Sequence, residues 1–308
     1  MKCSTFSLLA LPALCSSLAQ AAEPPSCSPV RFADVGWTDI TVTTAVTRLL
    51  LSELGYRTQV DRLSVPETYK ALAEQRIDVF LGNWMPSMAA DLKPYADAGS
   101  VQTVGANLEG AKYTLAVPQY AYDAGLKSFS DIARFRDALG GKLYGIEPGN
   151  DGNQLIKRML AENAFGLKDF TLVESSEADM LASVRRASVL KQPIVFLGWE
   201  PHPMNTRLQM HYLEGGDAYF GPNYGGATVY TNVRAGYLDQ CPNVAQLLRN
   251  LKFDLDMENH LMDAVLNDRS NPRQAAREWL QAHPQVRETW LKGVQTRAQA
   301  EPGSATRP

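Results

Sequence analysis

One short phrase occurs twice in this chain and limits the folds open to it. Val79 to Pro86 reads V-F-L-G-N-W-M-P, and Val195 to Pro201 reads V-F-L-G-W-E-P. In both, an apolar run rich in β-formers meets a glycine, a tryptophan follows within two residues, and a proline breaks the backbone. A third variant runs from Val30 to Gly36 and into Trp37. Each predicts a strand that delivers a tryptophan at its C-terminal end. Ligands of open α/β sheets collect outside the carboxyl ends of strands, so three tryptophans there point to one aromatic-walled site. Taken singly, each tryptophan also reads as ordinary core or a loop anchor.

The segments between these phrases alternate in type. A strand at 30–36 precedes a helix over 43–54, where Val46, Leu49, Leu50 and Leu54 recur at helical spacing before Gly55. Tyr56, Thr58 and Val60 alternate as the next strand, and Ser64-Val65-Pro66-Glu67 predicts a capping box opening a helix through Glu74. A third strand follows at 77–81. Such β-α-β-α-β order is half of a doubly wound parallel sheet. After a strand at 112–118 the order begins again: helix 130–139, strand 142–147, helix 153–163, strand 170–173, helix 177–190 and strand 194–198. A return strand at 227–230 precedes helices over 243–251, 257–267 and 272–294. One unit inserted in another, with two crossings, predicts an α/β protein of two lobes, each a mainly parallel sheet flanked by helices, joined by a two-strand hinge. The divisions are lobe I over 23–112 and 226–295, lobe II over 113–225, and a disordered polar tail over 296–308. A single large α/β enzyme domain is the alternative.

Of the 308 residues 45% are hydrophobic and 20% charged, an ordinary globular composition. Residues 1–22 carry Lys2, an apolar stretch from Phe6 to about Leu18, and small residues around Ala21 and Ala22, which predicts a cleaved export signal and a periplasmic protein. The formal charge of −3 argues against nucleic acid, whose binders carry basic stripes. Export would remove Cys3 and Cys15, leaving Cys27 and Cys241. They read as one disulfide. Two free buried thiols are the alternative.

No H-E-x-x-H, G-x-S-x-G or Walker-type loop is present, so no catalytic residue, metal or cofactor is expected. His202, His211, His260 and His283 read as surface or turn residues, and the carboxylates of Glu174 and Glu177 as packing or capping groups. Trp279 and Trp290 read as core or surface of the C-terminal helices.

The segments G-W-T-D-I, F-L-G-N-W-M-P-S, E-G-A-K-Y-T-L, Y-G-I-E-P-G-N-D-G-N and F-L-G-W-E-P-H-P-M-N, in this order and spacing, carry a resemblance. The chain resembles the ABC-importer substrate-binding proteins for glycine betaine, choline and carnitine, and among them the choline binders. The resemblance implies an aromatic box of Trp37, Trp84, Tyr113 and Trp199, with Asp39 at the ligand's hydroxyl end and Asn150 as a polar contact. Asp151 stands beside Asn150 as a further candidate. It also implies the Cys27–Cys241 disulfide, a monomer, and an inner-membrane permease as partner.

The physics of a quaternary amine fits these residue types. A trimethylammonium group has no N–H donor, so ring faces within about 6 Å must hold it, each contributing roughly 0.5 to 2 kcal/mol. An ionised Asp39 about 5 Å from a ligand carboxylate would repel it by roughly 3 kcal/mol at an effective dielectric of 20. That favours choline over betaine. Against it, the helix entered through Gly149 to Asn153 offers N–H groups suited to an anion, as betaine or carnitine requires. Asp39 also reads as a helix N-cap ahead of Thr43, and Asn150 as a plain turn residue. From other classes, the rivals are an enzyme acting on quaternary amines and a receptor reporting to a chemosensor.

Overall fold

The computed structural model describes residues 23–300. The predicted export signal and the end of the tail lie outside the described residues. Among the described residues there are nine strands: β1 (Val30–Asp34), β2 (Thr58–Arg62), β3 (Val79–Met85), β4 (Val101–Pro118), β5 (Lys142–Tyr144), β6 (Thr171–Val173), β7 (Phe196–Glu200), β8 (Met210–Tyr212) and β9 (Gly226–Arg234). Their order is β2-β1-β3-β9-β4-β7-β5-β6, with β8 against β4. β1 runs parallel to β2 and β3, and β5 runs parallel to β6 and β7. Between these parallel halves lie β9 and β4, antiparallel to each other and to their outer neighbours.

Lys112 is where β4 changes partner. Residues 101–112 pair with β9, and residues 112–116 pair with β7, so Lys112 faces both Gly226 and Glu200. The sequence predicts only residues 112–118 as strand. The earlier part escapes because its register shifts three times against β9, which destroys the two-residue alternation. β9 likewise extends beyond the expected 227–230.

The first helix spans Thr38–Glu53 and starts five residues before its predicted bound. Its buried residues lie all round it, so no amphipathic stripe marks its start. Ser64 and Glu67 form the predicted capping box, and the helix over Glu177–Leu190 has its predicted bounds. The expected helix at 130–139 is instead a 3₁₀ turn over Phe129–Phe135. The long helix predicted over 272–294 is two, Pro272–Ala282 and Pro284–Trp290, because Pro284 removes an N–H and stops the first. Trp279 and Trp290 stack on each other across that break, ring centres 6.0 Å apart, and are buried.

The helices at Leu255–Leu266 and Pro272–Ala282 pack on the Thr38–Glu53 helix, so the chain's end returns to the half in which it began. Cys27 and Cys241 are bonded there, 214 residues apart. The tail expected to be disordered from residue 296 starts with a helical turn, Arg297–Ala300. Ala300 O accepts from Glu23 N at 2.6 Å and Leu54 O from Arg297 N at 2.7 Å, backbone bonds that composition does not reveal.

A disulfide closing so long a loop contributes up to about 5 kcal/mol in the chain-entropy account. The Cys27→Ala/Cys241→Ala protein should therefore unfold at clearly lower denaturant than the oxidised parent in an equilibrium titration. Identical midpoints would show that the bond adds nothing to stability.

Candidate ligand-binding site

The strand order brings the echoed phrases to one place. Trp84 lies within β3 and Trp199 within β7, each near its strand's carboxyl end, and Tyr113 sits directly opposite Trp199 across the β4–β7 ladder. Trp37 is not carried on a strand. It follows β1 and occupies the N-cap position of the Thr38–Glu53 helix. Asn150 caps the Asp151–Ala161 helix by accepting from Asn153 N at 3.0 Å.

Trp37, Asp39, Trp84, Tyr113, Asn150, Asp151 and Trp199 all line one cavity with about 270 Å³ of empty space, joined by Ile146. None of the seven is more than 7% exposed. Every ligand-contact residue named from sequence is thus in one chamber, with walls from both halves of the sheet.

Hydrogen bonds fix the orientation of three of the rings. Trp84 Nε1 donates to Asp39 Oδ2 at 3.1 Å, Trp37 Nε1 to Glu147 Oε1 at 2.7 Å, and Tyr113 Oη to Asn150 Oδ1 at 2.8 Å. Trp84 and Tyr113 stand tilted with ring centres 6.1 Å apart, and Phe220 meets Tyr113 edge-on at 6.2 Å. Gly152 is required for the close approach of the helix start to Tyr113, since a Cβ there would collide with the phenol hydroxyl.

The polar inventory is unbalanced toward negative charge. Asp39 Oδ1 and Asp151 Oδ2 are buried without a hydrogen-bond partner. Burial, with Glu177 nearby, raises the Asp39 carboxyl to about 7. Burial also raises Asp151 to about 7. Both groups are poised to ionise when a cation replaces the missing solvent.

The alternatives for Asp39 and Asn150 come out differently. With the helix beginning at Thr38, Asp39 is inside the first turn and is not an N-cap ahead of Thr43. Asn150 is both turn residue and site residue: Oδ1 serves the cap and Tyr113, while Nδ2 donates to Asp151 Oδ1 at 3.1 Å. The helix start that looked suited to an anion is therefore capped from within and carries acidic Asp151 as its first residue.

Other contacts had no signal in the sequence. His202, expected at a surface or turn, is 2% exposed and contacts Glu177 at 3.3 Å. Glu177, expected only to pack or cap its own helix, accepts from Thr38 N and Oγ1 in the other half. Phe220 and Ile146 join the site only through long-range packing. Among the described residues the one close His/Cys/Asp/Glu group is Glu23, Cys27 and Cys241, whose sulfurs are in the disulfide.

Residues 28–282 match the family described as the substrate-binding domain of the ABC-type glycine betaine transport system. The chain belongs to this family. It is thus the binding component of an ABC importer and not an enzyme, and a membrane permease is its partner. A solved ABC-transporter choline binding protein in complex with choline is 59% identical, with a TM-score of 0.88 over 89% of this chain and 95% of that one. An unliganded, semi-closed structure of an ABC-transporter choline binding protein is also 59% identical, with a TM-score of 0.82 over 88% of this chain and 94% of that one. The glycine betaine/carnitine transport binding protein GbuC of Listeria monocytogenes is 30% identical over 127 residues, 41% of each chain.

The raised carboxyls set a pH dependence with a definite sign. A bound quaternary ammonium favours the ionised forms of Asp39 and Asp151, so affinity is full above pH about 7 and falls below it. With choline as probe, the dissociation constant should rise about tenfold or more from pH 7.5 to 5.5, with proton release detectable by calorimetry in buffers of different ionisation enthalpy. A flat profile would mean that neither carboxyl responds to the ligand's charge.

Proposed function

We propose that this chain is a periplasmic choline receptor, a monomer that captures the cation between two lobes and delivers it to its permease. Lobe I comprises residues 23–112 and 226–295, lobe II residues 113–225, and the exported protein is cleaved near Ala21 or Ala22. The observation that carries the proposal is the chamber itself: four aromatic rings and two partnerless buried carboxylate oxygens, with no basic side chain among its lining residues.

Each part has a task in this reading. Trp37, Trp84, Tyr113 and Trp199 hold the trimethylammonium group with their faces, a contribution that grows as closure excludes water. Asp39, through its bare Oδ1, accepts the ligand hydroxyl while Trp84 steadies Oδ2. Asn150 aims the Tyr113 ring and Asp151 adds to the field that favours a cation.

Carnitine and glycine betaine are the competing ligands, and both carry a carboxylate. An ionised aspartate about 5 Å away costs such a ligand roughly 3 kcal/mol at an effective dielectric of 20, and the two chamber aspartates act in the same direction. The capped and acidic start of the Asp151–Ala161 helix offers no compensating anion site.

Single replacements separate cage from charge. Trp84→Ala and Trp199→Ala should each weaken choline binding at least tenfold in a fluorescence or calorimetric titration, each having lost one ring and the close fit. Unchanged affinity in both would remove the cage from the account. Asp39→Asn should weaken choline while narrowing its advantage over betaine. If both ligands lose equally, Asp39 acts only as a structural acceptor for Trp84.

A further inference from the structure

The helix that presents Trp37 and Asp39 to the chamber begins without a cap of its own. Its N-cap position is Trp37, which makes no side-chain capping bond. The first N–H groups of a helix need partners from elsewhere. Here a partner comes from the opposite lobe. Glu177 Oε2 accepts from Thr38 N at 3.0 Å, and Oε1 accepts from Thr38 Oγ1 at 2.7 Å. Glu177 is 7% exposed, so these bonds are shielded from competing water.

Lobe II holds this carboxylate in place from behind. His202 Nδ1 accepts from Met204 N at 2.9 Å, which leaves Nε2 to donate to Glu177 Oε1 at 3.3 Å. Burial pushes the Glu177 carboxyl up, but the His202 contact and the two Thr38 bonds outweigh it, and the group stays below the usual glutamate range. The His202 ring also meets Trp199 edge-on, centres 4.9 Å apart. One chain of contacts thus runs from Trp199 through His202 and Glu177 to Thr38, next to Trp37 and Asp39.

We propose that Glu177, set by His202, is the closure latch of this receptor: a helix cap supplied across the cleft that holds the lobes shut and sets the rate of ligand release. Opening would separate Thr38 from Glu177 and return both to water, so the bonds count only in the closed form. An ion pair between the lobes, Arg207 to Asp263 at 2.7 Å, is half-exposed and contributes little by comparison. A charged acceptor buried against a helix start is the stronger contact. The latch rests on the choline reading only for its readout.

The test is stopped-flow tryptophan fluorescence of the whole protein with choline, in Thr38→Val, Thr38→Ser and Glu177→Gln. Thr38→Val keeps the shape and removes the hydroxyl, and Thr38→Ser restores it. The latch predicts release about tenfold faster in Thr38→Val and Glu177→Gln, an association rate within about twofold of the parent, and near-normal release in Thr38→Ser. The double variant should speed release by less than the product of the two single effects, because both changes act on the same pair of residues. Parent-like release in Thr38→Val and Glu177→Gln, or equal losses in Thr38→Ser and Thr38→Val, would overturn the latch. If Glu177→Gln proves unstable to heat, the Thr38 pair decides alone. If the parent fails to bind choline, the ligand assignment falls. The latch is then judged by small-angle scattering of the ligand-free proteins: a parent more closed than Thr38→Val supports it, and identical profiles refute it.

Discussion

The Asp39 carboxylate accepts the Trp84 indole N–H through one oxygen and keeps the other bare among four aromatic rings. Burying a carboxylate in this way is costly unless a charge arrives to balance it. The surrounding structure serves that imbalance. Rings supply faces and no cation of their own, the facing helix starts with another acid, and the nearest basic groups lie outside the lining. A permanent organic cation satisfies such a chamber, and an ammonium that needs several hydrogen-bond acceptors satisfies it less well.

The architecture explains how residues so far apart come to share one cavity. β4 leaves one half of the sheet for the other at Lys112, and the next residue, Tyr113, lies opposite Trp199. β3 carries Trp84 from the first half, while Trp37 and Asp39 open the helix after β1. Both halves of the sheet thus contribute walls to the box, and the contacts of Glu177 and Glu147 with residues 38 and 37 run between the same two halves. A ligand held between two such halves would favour the arrangement that brings them together, as the proposed latch requires.

Much of this could be read from residue order. The V-F-L-G phrases mark β3 and β7 because a run of β-formers ending in tryptophan and proline has few other uses, and the double alternation gives the two parallel halves. The residues that line the cavity could be named in advance because their motifs are local and resemble those of a known family. What was hidden depends on distance in sequence. Glu177 is an ordinary first-turn acid until Thr38 is placed against it, and His202 looks like a turn residue until Trp199 covers it. The start of the Thr38–Glu53 helix was masked by burial on every side, and the first part of β4 by its register shifts. Pro284 was visible, yet apolar spacing on both of its sides suggested one helix where the ring enforces two.

The central claim is that a carboxylate-lined aromatic box chooses a cation without a negative group. Its most direct test is parallel calorimetric titration of refolded, ligand-free protein with choline, carnitine and glycine betaine at pH 8, where Asp39 and Asp151 are ionised even without ligand. The account predicts that choline binds at least tenfold more tightly than either zwitterion, as a repulsion of roughly 3 kcal/mol requires even after screening. A betaine or carnitine affinity equal to or above that of choline would contradict it.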